Sequence, residues 1–541
     1  MAMAESSAVA PSDIALVPRE ATALAMAGGG FLSLASFSGL IAGMLRVRGK
    51  SLGQERPTLS GSGLLDHYGT ISTVSGGSWF LAELAYSASF RGLIEEIAAN
   101  PDSAGELFNK RWSDPWIDSF TGGDNGFKEA FAQIAEKFGQ PGLAQDVRLL
   151  GTLWSSGLTW PNFLNQLLDS TAAISADTPL GAPVEDWANG KLWMLGHSLV
   201  TPSDGEQGSV YSGVKGSTFY SCDRTTPVYI PAKFSITLGA GTGAAAPVPY
   251  CAPSALAAST SLRWETPNTG FCFCSSNHRA KSQPLGDFSN LTAAAGSLPL
   301  CQTVGCSSAF LGGFLLNDIV AKIKSALHGA FPLWASNASE GKAFEAAEKI
   351  VETIRNSGRP ATLQQCDDLA DLGVRALIDG AYTENTGIAH AVASGATDVT
   401  AFISTELEQL FGMFQGSPTE SQSQGVTFLS YSIFAEHHTE IRDRVTEFQS
   451  LVMPEGNRVL QGLVVGTLVV TTMQNDSFGI TGGRQVTLRI ISVSSSLSIG
   501  YAEDFREYGV FLGQLVREYS DALAMEQNSN TMDEFVRQMA R

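Results

Sequence analysis

Three stretches far apart in the chain share one pattern. Each has a short apolar run, a glycine-bearing bend beside a polar group, and a following stretch of helical character. Strands alternating with helices build a parallel sheet, because consecutive parallel strands need a crossover between them. The most constraining stretch is Tyr68 to Phe80. Tyr68, Ile71, Val74 and the intervening Thr and Ser residues suit a short buried strand, and Trp79 to Ser87 suits a helix. Between them stands Ser75, followed by Gly76 and Gly77. A strand turning sharply into a helix needs residues with little side chain at the bend. The turn lifts the serine hydroxyl to the N-terminal end of the helix, where negative charge is favoured. A turn merely capped by Ser75 or Ser78 fits the same residues.

The upstream stretch runs from Ala21 to Phe31. A small apolar strand enters Gly28-Gly29-Gly30, and an apolar helix follows from Phe31 to Val47, with Leu34, Phe37, Leu40, Ile41 and Leu45 on one face. Glycines at a helix start can turn unpartnered backbone N–H groups into a cavity, which suits an oxyanion hole or a phosphate cradle. The downstream stretch is Val374 to Asn385, an apolar strand ending in Asp379-Gly380. It places one carboxylate at the carboxyl edge of a sheet, where open α/β sheets bind ligands.

The order Gly-Gly-Gly-Phe (28–31), Ser-Gly-Gly-Ser-Trp (75–79) and Asp-Gly (379–380) resembles the catalytic core of the patatin-like lipid acyl hydrolases, and most of all the branch of cytosolic phospholipase A2 and fungal lysophospholipase (phospholipase B). The likeness covers residues 18–90 and 366–405, with Val304 to Phe310 similar to a small-residue helix start of that family. The resemblance implies a three-layer α/β core with a central, mostly parallel sheet, and a Ser–Asp dyad in place of a triad. Ser75 would be the nucleophile, Asp379 the base, and Gly28, Gly29 and Gly30 the oxyanion hole. It also implies a phospholipase A or lysophospholipase type of reaction on lipid esters through an acyl-enzyme; neither cofactor nor metal is expected. The chain departs from the family at Thr73, where glycine is usual, and at Leu32, where the phospholipase branch usually has an arginine on the substrate phosphate.

Composition narrows the partners. A net charge of −19 over 541 residues, with no offsetting Lys/Arg cluster, argues against nucleic acid and anionic membrane. A lipid surface would be met through apolar residues, as peripheral contact by an apolar cap. No signal peptide is evident: Glu5, Asp13, Arg19 and Glu20 precede the first apolar run. Ala21 to Leu45 is uncharged and long enough to span a bilayer, but three glycines break it, so a strand–loop–helix is expected instead. A cytoplasmic protein follows from these readings; its oligomeric state does not. Seven cysteines leave at least one unpaired. Cys272, Cys274, Cys301 and Cys306 lack the usual zinc spacing, which leaves buried thiols or a disulfide. Gly239 to Gly243 resembles a phosphate loop, but Pro247 and Pro249 follow and no Lys-Ser/Thr pair is present.

The expected organisation is a disordered leader (1–15), a catalytic core (16–415) and a C-terminal β-plus-helix extension packed on that core (416–541). Within the core, 90–200 reads as a helical cap and 203–300 as irregular loops with short strands. The cap carries Trp112, Trp116, Phe120, Phe127, Phe131, Trp154, Trp160 and Phe163, facing either lipid or their own core. Ala309 to His328 and Lys342 to Asn356 read as helices, and Gln415 to Gln424 as a linker. Val399 to Ser404, Val459 to Met473 and Val486 to Val493 read as strands. Phe505 to Met525 reads as a helix, and a last helix is expected from Thr531 with Glu534 completing a capping box. Two alternatives stand beside the dyad: a Ser-Asp-His esterase of the α/β-hydrolase type using His390, His437 or His438, and an inactive lipid-binding relative.

Overall fold

The computed structural model describes residues 21–121, 160–201, 228–241, 262–266, 271–275, 300–308, 333–335, 374–406, 410, 419–421, 426–428, 433–436, 448–456, 459–475, 478, 480–493 and 505–540. The leader, Phe127, Phe131, Trp154, His437, His438 and both helices expected between 309 and 356 lie outside them. Among the described residues one twelve-stranded sheet dominates. Its strands are β1 (Thr22–Met26), β2 (Thr70–Val74), β3 (Leu192–Thr201), β4 (Val228–Thr237), β5 (Leu262–Thr266), β6 (Phe271–Ser275), β7 (Leu333–Ala335), β8 (Val374–Asp379), β9 (Asp398–Glu406), β12 (Gln449–Ser450), β13 (Leu463–Thr471) and β14 (Gln485–Val493). The short strands β10 (Thr419–Ser421) and β11 (Val426–Phe428) pair separately, so part of the expected linker is a strand.

The middle of the sheet is parallel: β14, β9, β1, β2 and β3 stand side by side in that order. Both flanks are antiparallel, β13 and β12 on one side and β4, β6 and β5 on the other. β1 and β2 are buried along their whole length, as strands covered on both faces must be. Successive side chains of β2 show the two covering layers. Thr73 Oγ1 meets Ser78 of helix α2 (Gly76–Tyr86), while Ser72 Oγ donates to the carbonyl of Gly387, just ahead of α6 (Ile388–Ala393). Neighbouring residues of a strand point to opposite faces, so these two helices lie on opposite sides of the sheet.

Helix α1 (Gly30–Ser51) is long and apolar enough to cross a membrane by composition, but 83% of that apolar window is buried inside the protein. Its Gly39 and Gly43 lie against α7 (Phe505–Ala524) so closely that a Cβ on Gly39 would stand 2.5 Å from the Val516 carbonyl. The C-terminal segment therefore does more than pack on the core from outside. α7 covers α1, and β14 pairs directly with β9, closing a parallel edge that would otherwise stay open. The last helix, α8 (Ser529–Met539), starts ahead of Thr531, whose hydroxyl bonds Gln449 and forms no capping box.

The expected helical cap is corrected at its C-terminal end, and of the two settings left open for its aromatics Trp112 and Trp116 take the core one. Leu192–Thr201 is a central strand of the sheet, paired with β2 on one edge. Trp112 and Trp116 are fully buried against Phe31 of α1, with ring centroids 5.9 and 5.0 Å away, and so belong to the core. The described helices of this stretch include α3 (Ala88–Ala99) and α4 (Trp160–Ala172), with shorter ones between Ala104 and Thr121.

Glu83 of α2 ties these layers together. Its carboxyl is fully buried, meeting Trp112 Nε1 at 2.7 Å and Thr171 Oγ1 of α4 at 2.8 Å. Burial pushes its pKa up from 4.5 to about 8, against the lowering effect of both hydrogen bonds. The native state thus holds a proton that the unfolded chain has lost. This contribution to stability is full below pH 4.5 and fades as pH rises to about 8. Glutamine can accept from Trp112 and donate to Thr171, whose own proton can go to Leu167 O, 2.8 Å away. Glu83→Gln is expected to melt several degrees above the parent at pH 9 and level with it at pH 5, measured by thermal unfolding at the two pH values.

Candidate active site

Ser75 closes the bend between β2 and α2. Its φ of 51° and ψ of −122° are positive-φ values that side-chain-bearing residues seldom adopt. Glycine follows for a steric reason. A Cβ on Gly76 would lie 2.2 Å from the Gly30 carbonyl, and one on Gly77 would lie 2.6 Å from the Met26 carbonyl. The start of α2 is thereby pressed against the start of α1.

Asp379 reaches Ser75 by a route that differs from the one expected. β8 is not a further parallel strand; it runs antiparallel to β3. β2 occupies the edge of β3 from Leu192 to Gly196, and β8 occupies it from His197 to Val200, running the other way. The two strands meet end to end: Val74 pairs with Gly196 and Asp379 with His197. Gly380 is needed at this junction, because a Cβ there would stand 2.6 Å from the Gly196 carbonyl. Ser75 Oγ donates to Asp379 Oδ2 at 2.7 Å, and Asp379 Oδ1 accepts from the Ala381 amide at 2.8 Å. Both side chains are buried, 6% exposed for Ser75 and 1% for Asp379. Burial raises the Asp379 pKa from 3.8 to about 7, while the Ala381 amide and the Ser75 hydroxyl pull it back.

The three glycines are not equivalent. Gly28 N–H donates to the Asn385 carbonyl at 2.8 Å, so the expectation that it serves an oxyanion is corrected. Gly29 and Gly30, at φ 145° and 57°, open helix α1, and among the described residues their N–H groups make no hydrogen bond. The Gly29 amide is aimed by its own peptide unit. The Gly28 carbonyl accepts from Ser33 Oγ at 2.8 Å and from Ser404 Oγ at 3.4 Å, and the planar trans peptide holds the Gly29 N–H the opposite way.

Behind Ser75 runs a chain of buried hydroxyls. Trp193 Nε1 donates to Thr73 Oγ1 at 2.8 Å, Thr73 meets Ser78 at 2.8 Å, Ser78 meets Ser307 at 3.0 Å, and Ser307 donates to Gly196 O at 2.8 Å. The last bond fixes every proton along the line: Ser78 must give to Ser307, and Thr73 to Ser78. Ser307, at the end of α5 (Leu300–Ser307), also accepts the Ser75 amide on its carbonyl at 3.1 Å and on Oγ at 3.2 Å. Thr73 thus has work where a glycine would have none, and the bend is held by hydroxyls. Within the small-residue segment 304–310, Val304 to Ser307 form the end of α5, and Ala309 and Phe310 lie outside the described residues.

Other titratable groups lie close by. His197 is the cross-strand neighbour of Asp379 and is buried. Glu384, in the turn after Asp379, bonds the amide and hydroxyl of Thr386, and burial raises its pKa to about 7. His390 is buried in α6, edge-on to Phe478 at 5.3 Å, and its Nε2 lies 2.9 Å from where a Cβ on Gly196 would sit. The Ser75–Asp379 bond is direct, with no imidazole between the two. Leu32 is partly buried against the apolar core. Cys301 is a buried thiol near the Ser175 carbonyl; the side chains of Cys272, Cys274 and Cys306 lie outside the described residues.

Among solved structures the chain is similar to human GIVD cytosolic phospholipase A2, at 14% identity and a TM-score of 0.40. The match covers 96% of this chain and spans 62% of that one. No protein-family model matches the chain, and no curated protein matches it in sequence.

The sequence singled out Ser75, Asp379 and the glycine bend as candidates, and the structure brings Ser75 and Asp379 together. Sequence reasoning missed Ser307, Glu384, His197 and the side chain of Asn385. Ser307 stood in a segment already singled out for its small residues, and Asn385 closed the Asp379 stretch. Nothing in the residues around His197 marks it, because its place depends on the pairing of β3 with β8.

Proposed function

We propose that the protein is a serine ester hydrolase acting on lipid-type carboxylic esters through a Ser75–Asp379 dyad. The observation that carries this reading is the 2.7 Å bond from Ser75 Oγ to a carboxylate held near pKa 7, at a strained strand–helix bend. As Ser75 Oγ bonds to the ester carbonyl carbon, its proton passes to Asp379 Oδ2 and the carbonyl electrons move onto oxygen. That oxyanion is met by the N–H groups of Gly29 and Gly30. Collapse expels the alcohol, which takes the proton back from Asp379, and leaves an acyl group on Ser75. Water, deprotonated by Asp379, then releases the acid. Burial makes the carboxylate basic enough to act without histidine. Lipid as the substrate class rests on the sequence resemblance, and peripheral contact at a membrane rests on the acidic composition, which leaves an apolar surface to meet lipid. Leu32 offers no charge to a phosphate, so the ester carries the proposal further than the head group does.

A fluorophosphonate probe tests this. It should phosphonylate Ser75, located by peptide mass spectrometry, at a rate that rises with pH through about 7. An intact, folded protein that takes no label would point to a binding protein that has kept the fold without turnover.

A further inference from the structure

Among the described residues the Asn385 carboxamide stands at the dyad without a partner. Its main chain is committed, since the Asn385 carbonyl accepts the Gly28 N–H at 2.8 Å. Its side chain is not: Oδ1 is buried with no hydrogen-bond partner, and among the described residues Nδ2 makes no bond either. A buried polar atom left unpaired costs about 1–3 kcal/mol, so such an atom calls for an explanation. Its position supplies one. The point where a Cβ on Gly28 would sit is 2.1 Å from Asn385 Oδ1 and 2.9 Å from Ser75 Cβ. The carboxamide therefore fills the gap between the glycine bend and the nucleophile, on a turn fixed to that bend by its own backbone.

We propose that the side-chain amide of Asn385 is a further oxyanion donor of the Ser75 reaction, alongside Gly29 and Gly30. A half-turn of the carboxamide exchanges Oδ1 and Nδ2, and because neither is bonded the exchange costs no hydrogen bond. With Nδ2 turned into the gap, an N–H faces the carbonyl oxygen of an ester under attack by Ser75. The bond changes are those of the acylation step: Oγ–C forms, the C=O pair moves to oxygen, and the Ser75 proton goes to Asp379. Asn385 gives up no proton and serves only as a donor. The substrate oxygen becomes the partner that the carboxamide lacks in its absence.

This inference rests on the hydrolase reading, and its test separates the two. Asn385→Ala and the near-isosteric Asn385→Leu both keep the backbone carbonyl that holds Gly28, and both remove the donor. Assayed on p-nitrophenyl butyrate, each is expected to lose about 100-fold in kcat with KM changed by less than about threefold. Fluorophosphonate labelling should slow in parallel, and melting temperature should stay at the parent's. Parent-level kcat in the Leu variant would overturn the proposal, since side-chain volume alone would then suffice; so would a loss confined to KM or to melting temperature. If the parent hydrolyses no ester and takes no label at Ser75, the hydrolase reading itself fails and the donor role goes with it.

Discussion

Ser75→Ala is expected to lower ester turnover by about 10⁴-fold or more while leaving the fold intact, because removing the nucleophile of a unit that acts together abolishes nearly all of its catalysis. Two features make the substitution informative. Alanine keeps the amide that donates to Ser307, so the main anchor of the bend survives. It also keeps the backbone at φ 51°, where a side chain of any kind is strained, so the cost of that conformation is carried over from the parent. What disappears is the hydroxyl and its bond to Asp379. Hydrolysis of p-nitrophenyl butyrate, with circular dichroism and melting temperature as controls, checks it. Turnover near the parent's in a folded variant would remove Ser75 from the chemistry.

Asp379→Asn carries the second large effect, and two of its consequences have opposite signs. Asparagine is close in shape and can still accept from the Ala381 amide, but it cannot take the Ser75 proton, and turnover should fall at least about 1,000-fold. In the parent, kcat/KM should climb about tenfold per pH unit below neutrality and level off above about 7, as the buried carboxyl ionises. The variant's residual rate should lack that limb. Stability moves the other way. The folded-state pKa of Asp379 is raised from 3.8 to about 7, so the native state binds the proton more tightly than the unfolded chain. The resulting stabilisation is present below pH 3.8 and is lost as pH rises through about 7. Above neutrality the protein holds a charge in a buried site, and asparagine relieves that burden. The variant should therefore be slower at every pH and more heat-resistant at pH 8. A carboxylate that served only structure would give the stability change without the loss of turnover.

The same residues separate what is local from what is not. Val74, Ser75 and the two glycines after it fix a strand, a bend and a helix through short-range sterics, and such a bend is readable wherever the chain places it. The glycines ahead of Phe31 likewise open a helix whose first N–H groups have no partner above them. The length and spacing of the apolar runs marked the covered sheet, and the uncharged, mostly apolar or β-branched residues of β1 and β2 marked its buried middle. Thr73 shows where local reading stops. From its neighbours it is a departure at a tight bend, and only with Trp193, Ser78 and Ser307 around it does its hydroxyl become a support.

Pairing was decided by the tertiary structure. An apolar run ending in Asp-Gly looks alike whether its strand lies parallel or antiparallel to its neighbours, because both orientations bury the same side chains. Antiparallel pairing of β8 along the upper half of β3 makes the ends of β2 and β8 meet, bringing residues 304 positions apart to 2.7 Å. The same pairing sets His197 opposite Asp379, and the turn that follows carries Asn385 to Gly28. Trp112 and Trp116 are aromatic in either setting, and Phe31 of α1 is what makes them core. Sequence spacing determined which candidate groups the chain offers. Long-range hydrogen bonding, which depends on residues hundreds of positions away, determined which of them face one another.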